Sequence, residues 1–189
     1  LQYGETIELR NLMWPSDFMN DSYKSLYFGD DQIAEYEENP EDYEARSNIM
    51  WCATLGLNKI TGLSKTQDWE VHDIEHQLGA YTDCPHGLGL AVISMPYYRY
   101  IYKDGIDKFV RFAENVWNVN TNGKTKDEIA LEGIACLENF AKELGIPLTL
   151  RELGATEDML PQIAESSYEG GGYKYMTHDD ILNVLKQCF

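Results

Sequence analysis

Asp68–Leu90 reads DWEVHDIEHQLGAYTDCPHGLGL and holds three of the protein's four histidines, His72, His76 and His86. His72 and His76 are four residues apart, so on a helix they share one face, one turn from each other. His86 lies fourteen residues beyond His72. On one unbroken helix, at about 1.5 Å per residue, those two would stand roughly 21 Å apart. They can meet only if the helix breaks, and Gly79, Thr82, Asp83 and Pro85 supply the break. The stretch therefore predicts a helix, a sharp turn and a second helix, with His86 near the start of the second. That geometry could bring His72 and His86 to one metal ion, with His76 facing the same cavity.

Working outward, the flanking segments also read as helices. Asn39-Pro40-Glu41-Asp42 is a helix start, with a capping Asn, Pro at the first helical position and acids in the first turn. Ile49, Met50, Ala53, Leu57 and Ile60 then form an apolar stripe, and Gly62 is placed to end the helix. Ser64 to Gln67 can form a capping box for the histidine-bearing helix. After His86, GLGLAVISMPYYRYIYK is apolar nearly all round at first, the pattern of a helix buried at the centre of a bundle. Pro96 is expected to kink or end it.

Asp104 opens an amphipathic helix with Ile106, Phe109, Val110, Ala113 and Val116-Trp117 inward, and Asn120 to Lys124 is a turn. Thr125 to Glu128 reads as a capping box for a helix to about Leu144, stopped by Gly145-Ile146-Pro147. A short helix from Met159 to Ser167, the Gly170-Gly171-Gly172 loop and a last helix capped at Thr177-His178-Asp179-Asp180 complete the chain, the last helix ending near Cys188. Residues 1–38 show only intermittent helical periodicity and read as a divergent segment of short helices. No strand longer than a few residues is expected, and the fold class is all-α.

Composition sets the outer bounds. At 189 residues and 43% apolar, with 13 Tyr, 6 Phe and 4 Trp, the chain is a packed globular protein. Its formal charge of −17 leaves no basic stripe for nucleic acid or for an anionic membrane surface. Four scattered cysteines without a CxxC pair fit reduced thiols, and with no apolar run long enough to span a bilayer the expected location is cytoplasmic.

The histidines carry the chemistry. Neutral imidazole suits Zn²⁺ or Fe²⁺, but two histidines do not close a coordination shell. Asp73 and Glu75 flank His72 and are expected on other faces of the helix, while Asp83 and Cys84 sit in the turn. The plainer alternative is that His72 and His76 are surface residues and His86 caps a helix start. His178 is most simply a surface residue at a capping position. Gly87 and Gly89 lie inside a helix and follow no strand, so they are not a dinucleotide-binding fingerprint. The His72-Asp73 pair lacks the upstream histidine that HD-type phosphohydrolases require.

Two segments resemble the iron-dependent, group III alcohol dehydrogenases, in particular the branch of butanol dehydrogenases and aldehyde reductases. PEDYEARSNIMWCATLGLN resembles the helix leading into the site, and DWEVHDIEHQLGAYTDCPHGLGLAVISMPYYRY resembles the metal signature; FVRFAENVWNV and THDDILNVL also fit the branch. The resemblance covers about Asn39 to the C-terminus, so that 39–189 would be the helical metal-binding domain of a dehydroquinate synthase-like fold. It implies that His72 and His86 are the last two of four protein ligands to Fe²⁺ or Zn²⁺. It places His76 near nicotinamide and substrate, as a group that could relay the alcohol proton.

The family's other two ligands come as an upstream Asp-x-x-x-His pair, which this chain does not contain, and its NAD(P)-binding α/β domain has no counterpart here. The resemblance therefore implies the helical domain of an alcohol dehydrogenase or aldehyde reductase, inactive alone. Its expected partners are a small aldehyde or alcohol, the missing nucleotide-binding domain and further copies in a homo-oligomer. A non-catalytic helical module acting through a partner is the competing expectation.

Overall fold

A computed structural model describes Asn39, residues 41–57 and residues 67–189. The chain divides into two compact units, with the division between Lys65 and Thr66. In the first, helix α1 spans Tyr43–Leu57. Its start differs from the expected cap. Asp42 Oδ1 accepts from Ala45 N at 2.9 Å, while Asn39 holds the turn before it. Ala45 and Ile49 are buried, but Met50 is 61% exposed and so does not belong to the buried stripe. It stands about 100° around the helix from Ile49, which takes it off that face. Ile60 and the stop at Gly62 lie outside the described residues, as does Ser64.

The second unit holds six helices among its described residues: α2 Glu70–Thr82, α3 His86–Ile101, α4 Ile106–Trp117, α5 Lys126–Glu143, α6 Met159–Ser166 and α7 His178–Gln187. The all-α expectation holds: the sole β pairing among described residues is one isolated bridge between Gly170 and Met176. Helix α3 is the axis of the unit and packs against α2, α5 and α7, as its unbroken apolar run predicts. Leu90, Val92, Ile93, Tyr97 and Ile101 meet Ile74 and Leu78 of α2, Ile134 of α5, Ile163 of α6 and Ile181, Val184 and Leu185 of α7 in one core. Pro96 does not end the helix, which runs on to Ile101. Proline inside a helix costs about 3 kcal/mol through a lost donor and a steric clash. Continuing the helix buries Tyr97 and Ile101, each 1% exposed, and that burial offsets the cost.

The predicted caps at Thr125 and Thr177 are both present. Each hydroxyl accepts from the backbone N–H three residues on, and Glu128 or Asp180 reaches back to the threonine N–H. Helix α2 starts later than expected, at Glu70, so Gln67 is not part of its cap. Gln67 Oε1 accepts from Trp69 Nε1 instead, and Asp68 Oδ1 accepts from Glu70 N. Among the described residues Cys84, Cys136 and Cys188 are free thiols.

Helices α4 and α5 pack tightly at Gly133, where a Cβ would stand 2.6 Å from Ala113 Cβ and 2.9 Å from its Cα. Gly133→Ala is expected to lower stability by about 1–3 kcal/mol through overpacking, despite alanine's better helix propensity. Urea denaturation of the two proteins measures it, and equal midpoints would contradict the close approach.

Candidate metal centre

The break predicted between His76 and His86 is a three-residue turn. Helix α2 continues through Gly79 to Thr82, and Asp83 then adopts the left-handed conformation, φ 54°, with its N–H bonded to Gly79 O at 2.8 Å. An aspartate tolerates this region better than most residues. Pro85 follows as the residue before α3, whose first residue is His86. Gly79 is therefore inside α2, and the break rests on Asp83 to Pro85.

The turn folds α3 back on α2 and brings the three imidazoles together. One potential ligand nitrogen from each of His72, His76 and His86 lies within 4.8 Å of the other two. The ring centroids of His72 and His86 are 5.2 Å apart and those of His76 and His86 are 5.4 Å apart. His72 is buried, 7% exposed, and packs on Trp69 with ring centroids 4.9 Å apart. His86 is half-buried and His76 exposed. The cluster thus has a fixed, dry side at His72 and a side open to small molecules at His76. His178, the fourth histidine, lies apart from them, half-buried on α7, with its Nε2 3.1 Å from Ser167 O.

Sequence reasoning missed Glu75. It is 2% exposed, and its carboxylate accepts a hydrogen bond from His86 Nδ1. The expectation that it points away from the site fails because residues three apart on a helix are neighbours, about 60° apart around the axis. That i,i+3 spacing from His72 was the available signal.

Beneath the first turn of α2, a second set of contacts holds the helix in place. Asp68 accepts from Tyr97 Oη at 3.0 and 2.9 Å and from Tyr173 N at 3.3 Å, tying the start of α2 to α3 and to the glycine-rich loop. Burial and the Asp68 charge push the Tyr97 hydroxyl far above the ordinary tyrosine range. Tyr97 is therefore a permanent donor to that carboxylate. Glu70, 1% exposed, has no hydrogen-bond partner for either carboxylate oxygen. Burial, and then the charges of Asp73 and Asp68, raise its pKa to about 7.

These residues place the chain among known proteins. Residues 30–189 match the family described as Fe-containing alcohol dehydrogenase family, C-terminal. The chain belongs to that family. It is 36% identical over 158 residues to NADH-dependent butanol dehydrogenase A of Clostridium acetobutylicum, which covers 80% of this chain and 40% of that protein. It is 31% identical over 153 residues to the NADPH-dependent aldehyde reductase YqhD of Escherichia coli, covering 80% of this chain and 39% of that protein. The crystal structure of NADH-dependent butanol dehydrogenase A from Thermotoga maritima superposes with a TM-score of 0.81 at 25% identity, over 98% of this chain and 51% of that one. The chain thus spans about 40% of the length of the curated relatives it matches. The resemblance read from the histidine signature and the helices around it is the correct family, and the helical fold is shared. No described helix is long and apolar enough to cross a membrane.

Glu70 gives a pH-dependent prediction for the metal-free protein. A carboxyl whose pKa rises on folding keeps its proton longer in the folded state, so its ionisation opposes folding as pH climbs from about 4.5 towards 7. Glu70→Gln removes that penalty. The variant is expected to be more stable than the parent by about 1–2 kcal/mol at pH 8, after allowance for solvent screening, with the gap closing by pH 4.5. Thermal melts across that range measure it, and a gap independent of pH would contradict the buried, unpaired carboxylate.

Proposed function

We propose that this protein contributes the metal-binding helical part of an NAD(P)-linked alcohol dehydrogenase or aldehyde reductase that interconverts small primary alcohols and aldehydes. His72 and His86 hold one Fe²⁺ or Zn²⁺, and His76 stands on the substrate side. The observation that carries the reading is the convergence of three imidazoles from α2 and α3 within 4.8 Å. Membership of the iron-containing alcohol dehydrogenase family supports the same assignment. So do the relatives, which are named as NADH-dependent butanol dehydrogenases and an NADPH-dependent aldehyde reductase.

The donor set fits such an ion. Nitrogen ligands bind Zn²⁺ at about 2.0–2.1 Å, so rings this close need only small rotations for two of them to share one centre. Two imidazoles leave the remaining positions for ligands outside this triad and for the substrate oxygen. When bound, the ion supplies Lewis-acid polarisation of that oxygen.

The rest is work for the chain's own residues. Packing on Trp69 fixes the His72 ring, and Glu75 fixes that of His86. His76, on the same face and exposed, would take the hydroxyl proton in alcohol oxidation and return it in aldehyde reduction, and a bound nicotinamide would supply the hydride chemistry. Imidazole suits this role because its ordinary pKa lies near neutrality. Binding of the dinucleotide is assigned to regions of such enzymes outside the stretch that this chain matches.

Metal analysis and kinetics of the intact protein test the assignment. One equivalent of Fe²⁺ or Zn²⁺ per chain is expected, lost in His72→Ala and in His86→Ala. His76→Ala should keep the metal while NAD(P)H-dependent reduction of butanal falls by about 10²–10⁴-fold. Unchanged metal content in both ligand variants would overturn the reading and favour a non-catalytic helical module.

A further inference from the structure

We propose that Glu75 is the positioning residue of His86: it fixes the ring's tautomer and angle so that Nε2 is the nitrogen offered to the metal. The inference rests on the metal reading above and adds a residue to it. The Glu75 carboxylate accepts from His86 Nδ1 across the α2–α3 turn. A neutral imidazole carries one proton, so an acceptor at Nδ1 keeps the proton there and leaves the lone pair on Nε2. Such carboxylate–histidine pairs also raise the basicity of the ligating nitrogen.

Two further observations show that the arrangement is built rather than incidental. Glu75 is 2% exposed, and His86 is its one hydrogen-bond partner among the described residues. Burying a carboxylate with a single hydrogen-bond partner is costly, and an apolar side chain would fill the same volume with less penalty. Stability alone therefore does not favour an acid here. The second observation is the space made for it. A Cβ on Gly89, one turn along α3, would stand 2.7 Å from Glu75 Cγ and 2.8 Å from its Oε1. Any larger residue at position 89 would push the carboxylate off its place. Gly89 is the recess that holds the acid against the histidine.

The bound ion would thus meet a rigid, electron-rich His86 backed by a negative charge.

Two measurements on the intact protein test this, one with metal and one without. Long-range ¹H–¹⁵N spectra of the metal-free protein are expected to show His86 as the Nδ1–H tautomer, shifting to a mixture in Glu75→Ala. Titration with Co²⁺, followed by its visible d–d bands, is expected to show about 10–100-fold weaker binding in Glu75→Gln, with altered band positions. Glu75→Asp should recover part of the affinity. Gly89→Ala, which touches neither imidazole, should weaken binding in the same direction.

Glu75→Gln keeps the side chain's volume, so a merely structural role would leave tautomer, affinity and spectrum unchanged. It also carries the test if Glu75→Ala does not fold. Co²⁺ affinity within threefold of the parent in Glu75→Gln would overturn the inference while leaving the metal centre standing. Absence of Co²⁺ binding by the parent protein would overturn the metal centre itself, and the inference with it.

Discussion

The site depends on one backbone constraint, the reversal at Asp83. A left-handed residue at the end of α2 sends the chain back through Cys84 and Pro85 into α3. Without that reversal His72 and His86 would lie roughly 21 Å apart along one rod. The cost of a left-handed non-glycine residue is about 1 kcal/mol, and less for aspartate, whose short polar side chain can bond locally. Against it stands the apolar contact between α2 and α3, where Ile74, Leu78, Leu90 and Ile93 are all at most 3% exposed. The same packing that buries these side chains places the imidazoles on one another. Core and site are two faces of a single helical hairpin.

The hairpin is held at its far end by Asp68. Its carboxylate receives the Tyr97 hydroxyl from the middle of α3 and the Tyr173 N–H from the glycine-rich loop. The isolated bridge of Gly170 with Met176 narrows that loop, and Met176 is itself fully buried. At the other end of the loop the Thr177 capping box starts α7, and Tyr100 of α3 donates to Asp180 of the same box. Chain segments about a hundred residues apart thus fix the first turn of α2, from which His72 projects. Its ring packs on Trp69, the residue next to Glu70 at the start of that helix.

Much of this was legible in the sequence because it is written in local rules. The caps at Thr125 and Thr177, the reversal after Thr82 and the buried character of α3 follow from side-chain type at fixed offsets, and the structure has them. What was not legible was tertiary. Pro96 reads as a kink or a helix end, yet the helix runs on to Ile101 and buries Tyr97 and Ile101. Asn39 and Gln67 read as capping residues, yet Asp42 and Asp68 make the helix-start hydrogen bonds. Met50 reads as core from apolarity alone but stands on the exposed side of α1. Glu75 is the instructive case. Its spacing from His72 places it on nearly the same face, but only the fold shows that its partner is His86, eleven residues on and on the next helix.

Two buried carboxylates on α2 then have opposite fates, and the contrast bears on how the site works. Glu70 lies under the loop with neither oxygen hydrogen-bonded, and its proton is held up to about pH 7. Glu75, five residues on and equally buried, is given an imidazole N–H and a recess at Gly89. Both sit on the helix that carries His72 and His76, in a chain whose net charge is −17. Imidazole supplies ligand atoms of suitable softness but no charge, so two of them leave a divalent ion uncompensated. The Glu75 carboxylate, hydrogen-bonded to His86, sets negative charge beside the cluster. That charge reaches the cluster through the hydrogen bond between Glu75 and His86.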